Sequence, residues 1–151
     1  MSEQDLTRCF GDALKILNRA SQTRFKMIEK LKKREFKDEI ISQTIARLEE
    51  LKLIDDVKYA HDYVAYRSRS APIGGRYLQL KLRQRGISKE IAADASKLSA
   101  EEEYDLAKKV AEKQLSHYHN LDDQETKQKL ARFLQSRGFS SGAVYRIIKG
   151  D

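Results

Sequence analysis

Few residues in this chain have the types and spacing that chemistry requires. Cys9 is the single thiol, and a thiolate nucleophile needs a base or cation set beside it by a surrounding motif. None surrounds Cys9. His61, His117 and His119 are the three imidazoles. Two apart on a helix, His117 and His119 point to different faces, and no cysteine or third histidine completes a zinc set. Asp55-Asp56 suggests a metal, but the pair stands just before an amphipathic stretch. There it reads as a cap and a favourable charge at a helix N-terminus. Gly74-Gly75-Arg76 also precedes a helix start, where backbone N–H groups can hold a phosphate. It lacks the Gly-Lys-Ser/Thr ending of a nucleotide loop, so it reads as a hinge or a tight start to a helix. No Ser/His/Asp set, no paired carboxylates in an apolar setting and no cofactor loop can be assembled. The expectation is a non-catalytic protein with no cofactor and no metal.

What remains is charge and aromatic surface. Tyr59, Tyr63 and Tyr66 recur at i, i+4 and i+7, flanked by Val57, Ala60 and Val64. Such a stripe suits core or inter-repeat packing better than base stacking. The bases outnumber the acids, 30 to 23, giving +7 and an isoelectric point near 9.4. That balance favours a polyanion or an acidic protein surface as partner. Residues 24–34 hold six bases against Glu29, and residues 67–90 hold seven against Glu90. Residues 127–149 hold six bases and no acid, whereas 94–125 hold nine acids and four bases. From the central run, Arg67, Arg69, Arg76, Lys81, Arg83 and Arg85 are the candidate partner-binding residues. At their spacings Arg76, Lys81, Arg83 and Arg85 wrap around a helix and its exit rather than sharing one face.

These residues must be positioned by a chain of 151 residues, 40% hydrophobic and 35% charged, with a mean hydropathy of -0.71. Too rich in Leu, Ile and Val for disorder, it suits one domain or several small repeats. One proline and seven glycines favour helices over a many-turned β architecture. The lone cysteine excludes an internal disulfide and fits a reducing compartment. No uncharged run exceeds eight residues, too short to span a bilayer. Met1-Ser2-Glu3-Gln4-Asp5 shows no basic-then-apolar signal pattern. A soluble, monomeric, cytoplasmic protein with no membrane partner is expected.

The basic runs recur because the chain repeats. Met27, Leu31, Arg34, Phe36, Ile40 and Thr44 form one set. Leu78, Leu82, Arg85, Ile87, Ile91 and Ala95 form the second. Leu130, Leu134, Arg137, Phe139, Ala143 and Ile147 form the third. Spacing within the sets is shared, and they lie 51 and 52 residues apart. Each reads as a helix with an apolar i, i+4 pair, a basic last turn, a break and another helix. Gly86 and Gly138 stand where a left-handed residue ends a helix cheaply. Glu35 holds that place in the first copy, which is therefore expected to end differently. A further helix precedes each pair, over 10–20, 57–69 and 100–119. Ser99 with Glu102 forms a capping box, Asp122 with Glu125 a similar start, and Thr23, Asp38, Ser88 and Ser140 are further caps. The predicted fold is all-α: a tandem array of three three-helix repeats over 10–54, 55–99 and 100–151, after a tail of residues 1–9.

The run Leu53-Ile54-Asp55-Asp56-Val57-Lys58-Tyr59-Ala60, followed by Tyr63-Val64 and Arg67, resembles the central block of the RecX family. Leu78-x3-Leu82-x2-Arg85-Gly86-Ile87 is similar to that family's second block. Ala13-Leu14 through Arg19, Thr23, Leu31 and Phe36 resembles its opening repeat, and Arg137-Gly138-Phe139 its close. The resemblance spans about residues 10–149. The chain departs from the family at Lys26 and Lys81, where acids are usual, and at Glu35, Pro72 and Gly75. The resemblance implies an elongated, curved array that lies in the groove of RecA filaments on single-stranded DNA. There it would restrain strand exchange, ATP hydrolysis and coprotease activity, serving DNA repair and the SOS response. The alternative from charge alone is an autonomous DNA-binding protein without sequence preference, taking single- or double-stranded DNA.

Overall fold

The computed structural model describes residues 2–150, and among them it places nine α-helices and no strand. They are α1 (Glu3–Arg19), α2 (Arg24–Lys33), α3 (Asp38–Glu50), α4 (Asp56–Ser70), α5 (Gly75–Gln84), α6 (Lys89–Ala95), α7 (Ala100–Leu115), α8 (Asp123–Ser136) and α9 (Ser141–Lys149). The helices group by threes, each group around its own core. In α1–α3 the core is built on Met27, Leu31, Ile40, Ile45 and Leu48. In α4–α6 it is Ala60, Leu82, Ile87 and Ala92. In α7–α9 it is Ala107, Leu134, Phe139, Ala143 and Val144. The apolar i, i+4 pairs of the repeat are buried in all three copies, which is why the middle helices α2, α5 and α8 form where they do.

The three cores follow one another along the chain instead of merging. The accessible surface is 9990 Å². A compact chain of this mass exposes about 7,900 Å², so the array is elongated.

Local chemistry sets most boundaries. Thr23, Asp55, Ser88, Ser99, Asp122 and Ser140 each accept a backbone N–H from the first turn, and Ser99 with Glu102 closes a capping box. Three boundaries differ from expectation. First, α1 begins at Glu3, so most of the expected tail is helical. Ser2 accepts the Asp5 N–H, Glu3 and Asp5 favour the helix N-terminus, and Cys9 is fully buried. Second, Asp38 is the first helical residue and not the cap. Lys37 holds the cap position without a side-chain bond. Third, α7 ends at Leu115. The His117 and Tyr118 N–H groups turn back to Gln114 and Leu115, and Asn120 then takes a left-handed conformation. His117 and His119 therefore lie beyond the helix.

The first repeat also ends its middle helix in an unexpected way. Glu35 adopts φ 67°, nearly the conformation of Gly86 at φ 83° and Gly138 at φ 84°. Its N–H bonds the Lys32 carbonyl at 2.9 Å, as Gly86 bonds Arg83 at 2.9 Å. All three middle helices thus end alike, and the exposed glutamate bears the strain. Replacing Glu35 by glycine should stabilise the protein by about 0.5–1 kcal/mol, the left-handed cost less the extra entropy of glycine. A thermal melt should show a rise of about 2 °C.

Candidate partner-binding face and the joints between repeats

The repeats are joined by one construction used twice. At the first joint the Thr23 hydroxyl, buried at the start of α2, donates to the Arg85 carbonyl at the end of α5 at 2.7 Å. At the second, the Gly74 N–H at the start of α5 donates to the Arg137 carbonyl at the end of α8 at 2.9 Å. An aromatic side chain covers the glycine that follows. A Cβ on Gly86 would lie 2.2 Å from the Phe25 Cβ, and one on Gly138 would lie 2.7 Å from Tyr77. These glycines therefore serve twice, in a left-handed conformation and as a flat seat for the preceding repeat. Glu35, at the same place in the first repeat, is exposed, and a side chain is tolerated there.

The six candidate residues divide between these joints and the solvent. Arg85 lies with its guanidinium 4.4 Å over the Tyr63 ring, and its Nε donates to the Tyr59 hydroxyl at 3.1 Å. Arg67 donates from Nε to the Ala71 carbonyl at 3.1 Å, closing the end of α4. Arg76 reaches across the second joint, its Nη2 donating to the Gln135 carbonyl at 3.4 Å. Arg83 donates to the Ile87 carbonyl at 3.1 Å yet stays exposed. Arg69 is exposed and Lys81 half-buried. None of the six pairs with a carboxylate; Arg69, Arg76 and Arg83 are exposed, and Arg67, Arg76, Arg83 and Arg85 each donate to an oxygen within the molecule, Arg83 only to a carbonyl four residues on. The tyrosine stripe divides likewise: Tyr59 and Tyr63 hold Arg85, and Tyr66 is 59% exposed.

The other candidate groups take structural roles. Asp55 caps α4. Asp56 Oδ1 accepts the Arg24 N–H at 2.9 Å, tying α4 to the start of α2 beside the Arg24–Glu49 pair at 3.5 Å. Burial pushes the Asp56 carboxyl above its usual range, the Arg24 N–H opposing and Glu49 adding to the rise. A carboxyl raised in the folded state binds protons more tightly there than in the unfolded chain. Its ionisation therefore weakens the fold as pH rises through that raised value, and acid restores what was lost. Asp56→Asn keeps an acceptor for Arg24 without the charge. It should leave stability at neutral pH unchanged or slightly higher, whereas Asp55→Ala should cost about 1 kcal/mol. Urea titrations of both variants check this. Burial likewise raises the Cys9 thiol, against a lowering contact from Thr44, so it is a core residue and not a poised nucleophile. His61 sits 3.9 Å from Asp94, and His117 Nδ1 is 3.0 Å from the Lys113 carbonyl.

Gly74-Gly75-Arg76 packs backbone on backbone. A Cβ on Gly74 would lie 2.1 Å from the Gly138 oxygen, so the glycine seats a tight helix start at the joint.

Two pairs of exposed cations lie outside the basic runs. Lys15 and Arg19, with Lys33, line a cleft of about 480 Å³ between α1 and α2. Lys109 and Lys113, with Arg69 and Arg137, line one of about 430 Å³ where α4 meets α7 and α8. Lys109 and Lys113 lie inside the acidic stretch of the sequence, which conceals them. Their i, i+4 spacing, shared by Lys15 and Arg19, is the signal that finds them. Among the described residues, no group of His, Cys, Asp and Glu could hold a metal ion, and no helix is long and apolar enough to cross a membrane.

Comparison with known proteins accounts for the threefold construction. Family models described as the first, second and third three-helix domains of RecX match residues 9–48, 55–95 and 101–148. A regulatory protein RecX of Chlorobium phaeobacteroides (strain BS1) is 34% identical, over 95% of this chain and 93% of that one. One of Prosthecochloris aestuarii is 32% identical, over 98% and 96%. The crystal structure of RecX from Lactobacillus salivarius superposes with a TM-score of 0.91 at 27% identity, covering 99% of this chain and 97% of that chain.

Proposed function

The chain belongs to the RecX family, and on that premise we propose that it binds RecA nucleoprotein filaments and restrains their recombinase, ATPase and coprotease activities without catalysing a reaction itself. The name of the family's curated members, regulatory protein, supports a regulator. The observation that carries the reading is the elongated array of three similarly built repeats, with cations left unpaired on its surface. A helical filament offers successive equivalent protomers, and an elongated molecule of equivalent units can touch several of them at once. Linked weak contacts then act at high effective concentration.

Restraint requires more than binding. The protein must hold one filament state more tightly than another, since equal affinity for both shifts nothing. An elongated molecule seated across neighbouring protomers does this if the protomers must move relative to one another during ATP hydrolysis or strand exchange. We place the protein in the cytoplasm as a monomer, where a buried, reduced Cys9 is stable. Co-sedimentation with RecA–single-stranded DNA filaments at moderate salt tests the proposal. The protein should pellet with filaments and resist competition by free DNA. If free DNA strips it off as readily as filaments hold it, autonomous DNA binding accounts for its behaviour instead.

A further inference from the structure

The cleft where α4 meets α7 and α8 collects charge that the fold does not need. Four cations line it: Arg69 near the end of α4, Lys109 and Lys113 on α7, and Arg137 at the end of α8. All four are exposed, and among the described residues none has a carboxylate partner. No aspartate or glutamate lines the cleft either. Four like charges around about 430 Å³ repel one another, so their gathering costs stability. Pro72, Val110 and Phe133, each half-buried, complete an apolar part of the lining. The Arg137 guanidinium stands 4.8 Å over the Phe133 ring, which holds one cation beside that apolar surface.

The cleft spans a joint. Arg69 and Pro72 belong to the second repeat, and Lys109, Lys113, Phe133 and Arg137 to the third. The Arg137 carbonyl also accepts the Gly74 N–H that ties the two repeats together. The corresponding place at the first joint is built otherwise. Ala60 and Ala107 are each fully buried and stand 47 residues apart. In that register Asp62 and Tyr66 of α4 take the places of Lys109 and Lys113 in α7. The cleft they line sets Asp55 and Asp62 against Lys52 and Lys58, and Lys58 pairs with Asp62 at 2.8 Å. Of the clefts at the two joints, only the second carries uncompensated charge.

Concentrated positive charge beside a small apolar surface suits a compact polyanion with a flat apolar part. A run of acidic residues spreads its carboxylates along a chain, at up to about 3.3–3.6 Å per residue, and offers no flat group. We propose that this cleft is a binding site for a nucleoside polyphosphate. Arg69, Lys109 and Lys113 hold the phosphates, and the base lies against Phe133 and Pro72. Held from both repeats, the nucleotide clamps the second joint. The site requires nothing of RecA, so its failure would leave the filament reading untouched.

The test is calorimetric titration of the whole protein alone with adenosine triphosphate, at about 0.1 M salt to screen long-range attraction. One nucleotide should bind per chain; absence of saturable binding would overturn the site. Two variants change exposed cations of the cleft, Arg69→Ala in the second repeat and Lys109→Ala with Lys113→Ala in the third. Lys15→Ala with Arg19→Ala is the control, since it removes two charges elsewhere. Circular dichroism confirms that each is folded. Both cleft variants should bind about tenfold more weakly, as loss of charge-assisted hydrogen bonds does, and the control should bind as the wild type does. Wild-type affinity in either cleft variant would overturn a site held from both repeats. An equal loss in the control would mean that net charge alone attracts the nucleotide, and the proposal falls. Inorganic tripolyphosphate and hexaglutamate should both bind more weakly than the nucleotide. If either binds as tightly, the apolar lining takes no part and the assignment to a nucleotide is overturned.

Discussion

Replacing Gly74 by alanine should uncouple the second repeat from the third. The added Cβ would stand 2.1 Å from the Gly138 oxygen and 2.3 Å from its carbonyl carbon. Both atoms belong to backbone, so no side-chain rotation relieves the overlap. Gly138 is itself fixed by its left-handed conformation and by the Tyr77 ring seated on it. The joint must open, losing the hydrogen bond from the Gly74 N–H to Arg137 and that between Arg76 and Gln135. Overpacking at an unyielding site costs about 3 kcal/mol, and the array has little to offset it because the repeats have separate cores. Urea unfolding should show a lower midpoint or a split transition, and small-angle scattering a larger radius, with helix content nearly unchanged. Gly11→Ala is the control. A Cβ there meets nothing within 4 Å, in the interior of α1, so it should stabilise by about 1 kcal/mol. Equal stability for Gly74→Ala and the wild type would mean that the joint is looser than its geometry indicates.

The second large effect is on binding. Changing Arg69, Lys81 and Arg83 together to glutamate should weaken binding to RecA–DNA filaments by about a hundredfold or more, through lost attraction and new repulsion. Helical circular dichroism should not change, because none of the three has an acid partner in the fold. Arg76 and Arg85 are left out of this variant by design. Truncating Arg85 removes a stacked, hydrogen-bonded contact within the second repeat, and a loss of about 1–2 kcal/mol would confound any binding result. Full filament binding by the triple variant would place the RecA-facing surface elsewhere on the array.

The threefold repeat was legible in the chain because its signals are local. An apolar i, i+4 pair, a capping side chain and a glycine after a basic turn each act within a few residues. The same holds for the helix starts at Asp55, Ser88, Ser99, Asp122 and Ser140. What escaped was tertiary. Glu35 was expected to end its helix differently, because a glutamate does not announce the left-handed conformation that it takes there. The contacts of Arg85 with Tyr59 and Tyr63 were not legible, because those tyrosines stand a helix away. Residues 1–9 looked like a tail, because Met1–Asp5 is polar and the burial of Cys9 depends on α3. The register of the first helices was hidden for another reason. The connections to the middle helices lengthen along the chain, so Ala13, Ala60 and Ala107 keep a 47-residue spacing while the middle helices repeat at 51 and 52. A single alignment of the three units cannot show both.

The central claim is that this protein acts on the filament and not on bare DNA. It is tested most directly by measuring ATP hydrolysis by the cognate RecA on single-stranded DNA while titrating this protein from well below one per RecA. Inhibition should appear at substoichiometric ratios, because one bound array restrains several protomers or stops filament growth at an end. Inhibition only when the protein is abundant enough to coat the DNA would contradict the account and reduce its action to competition for the strand.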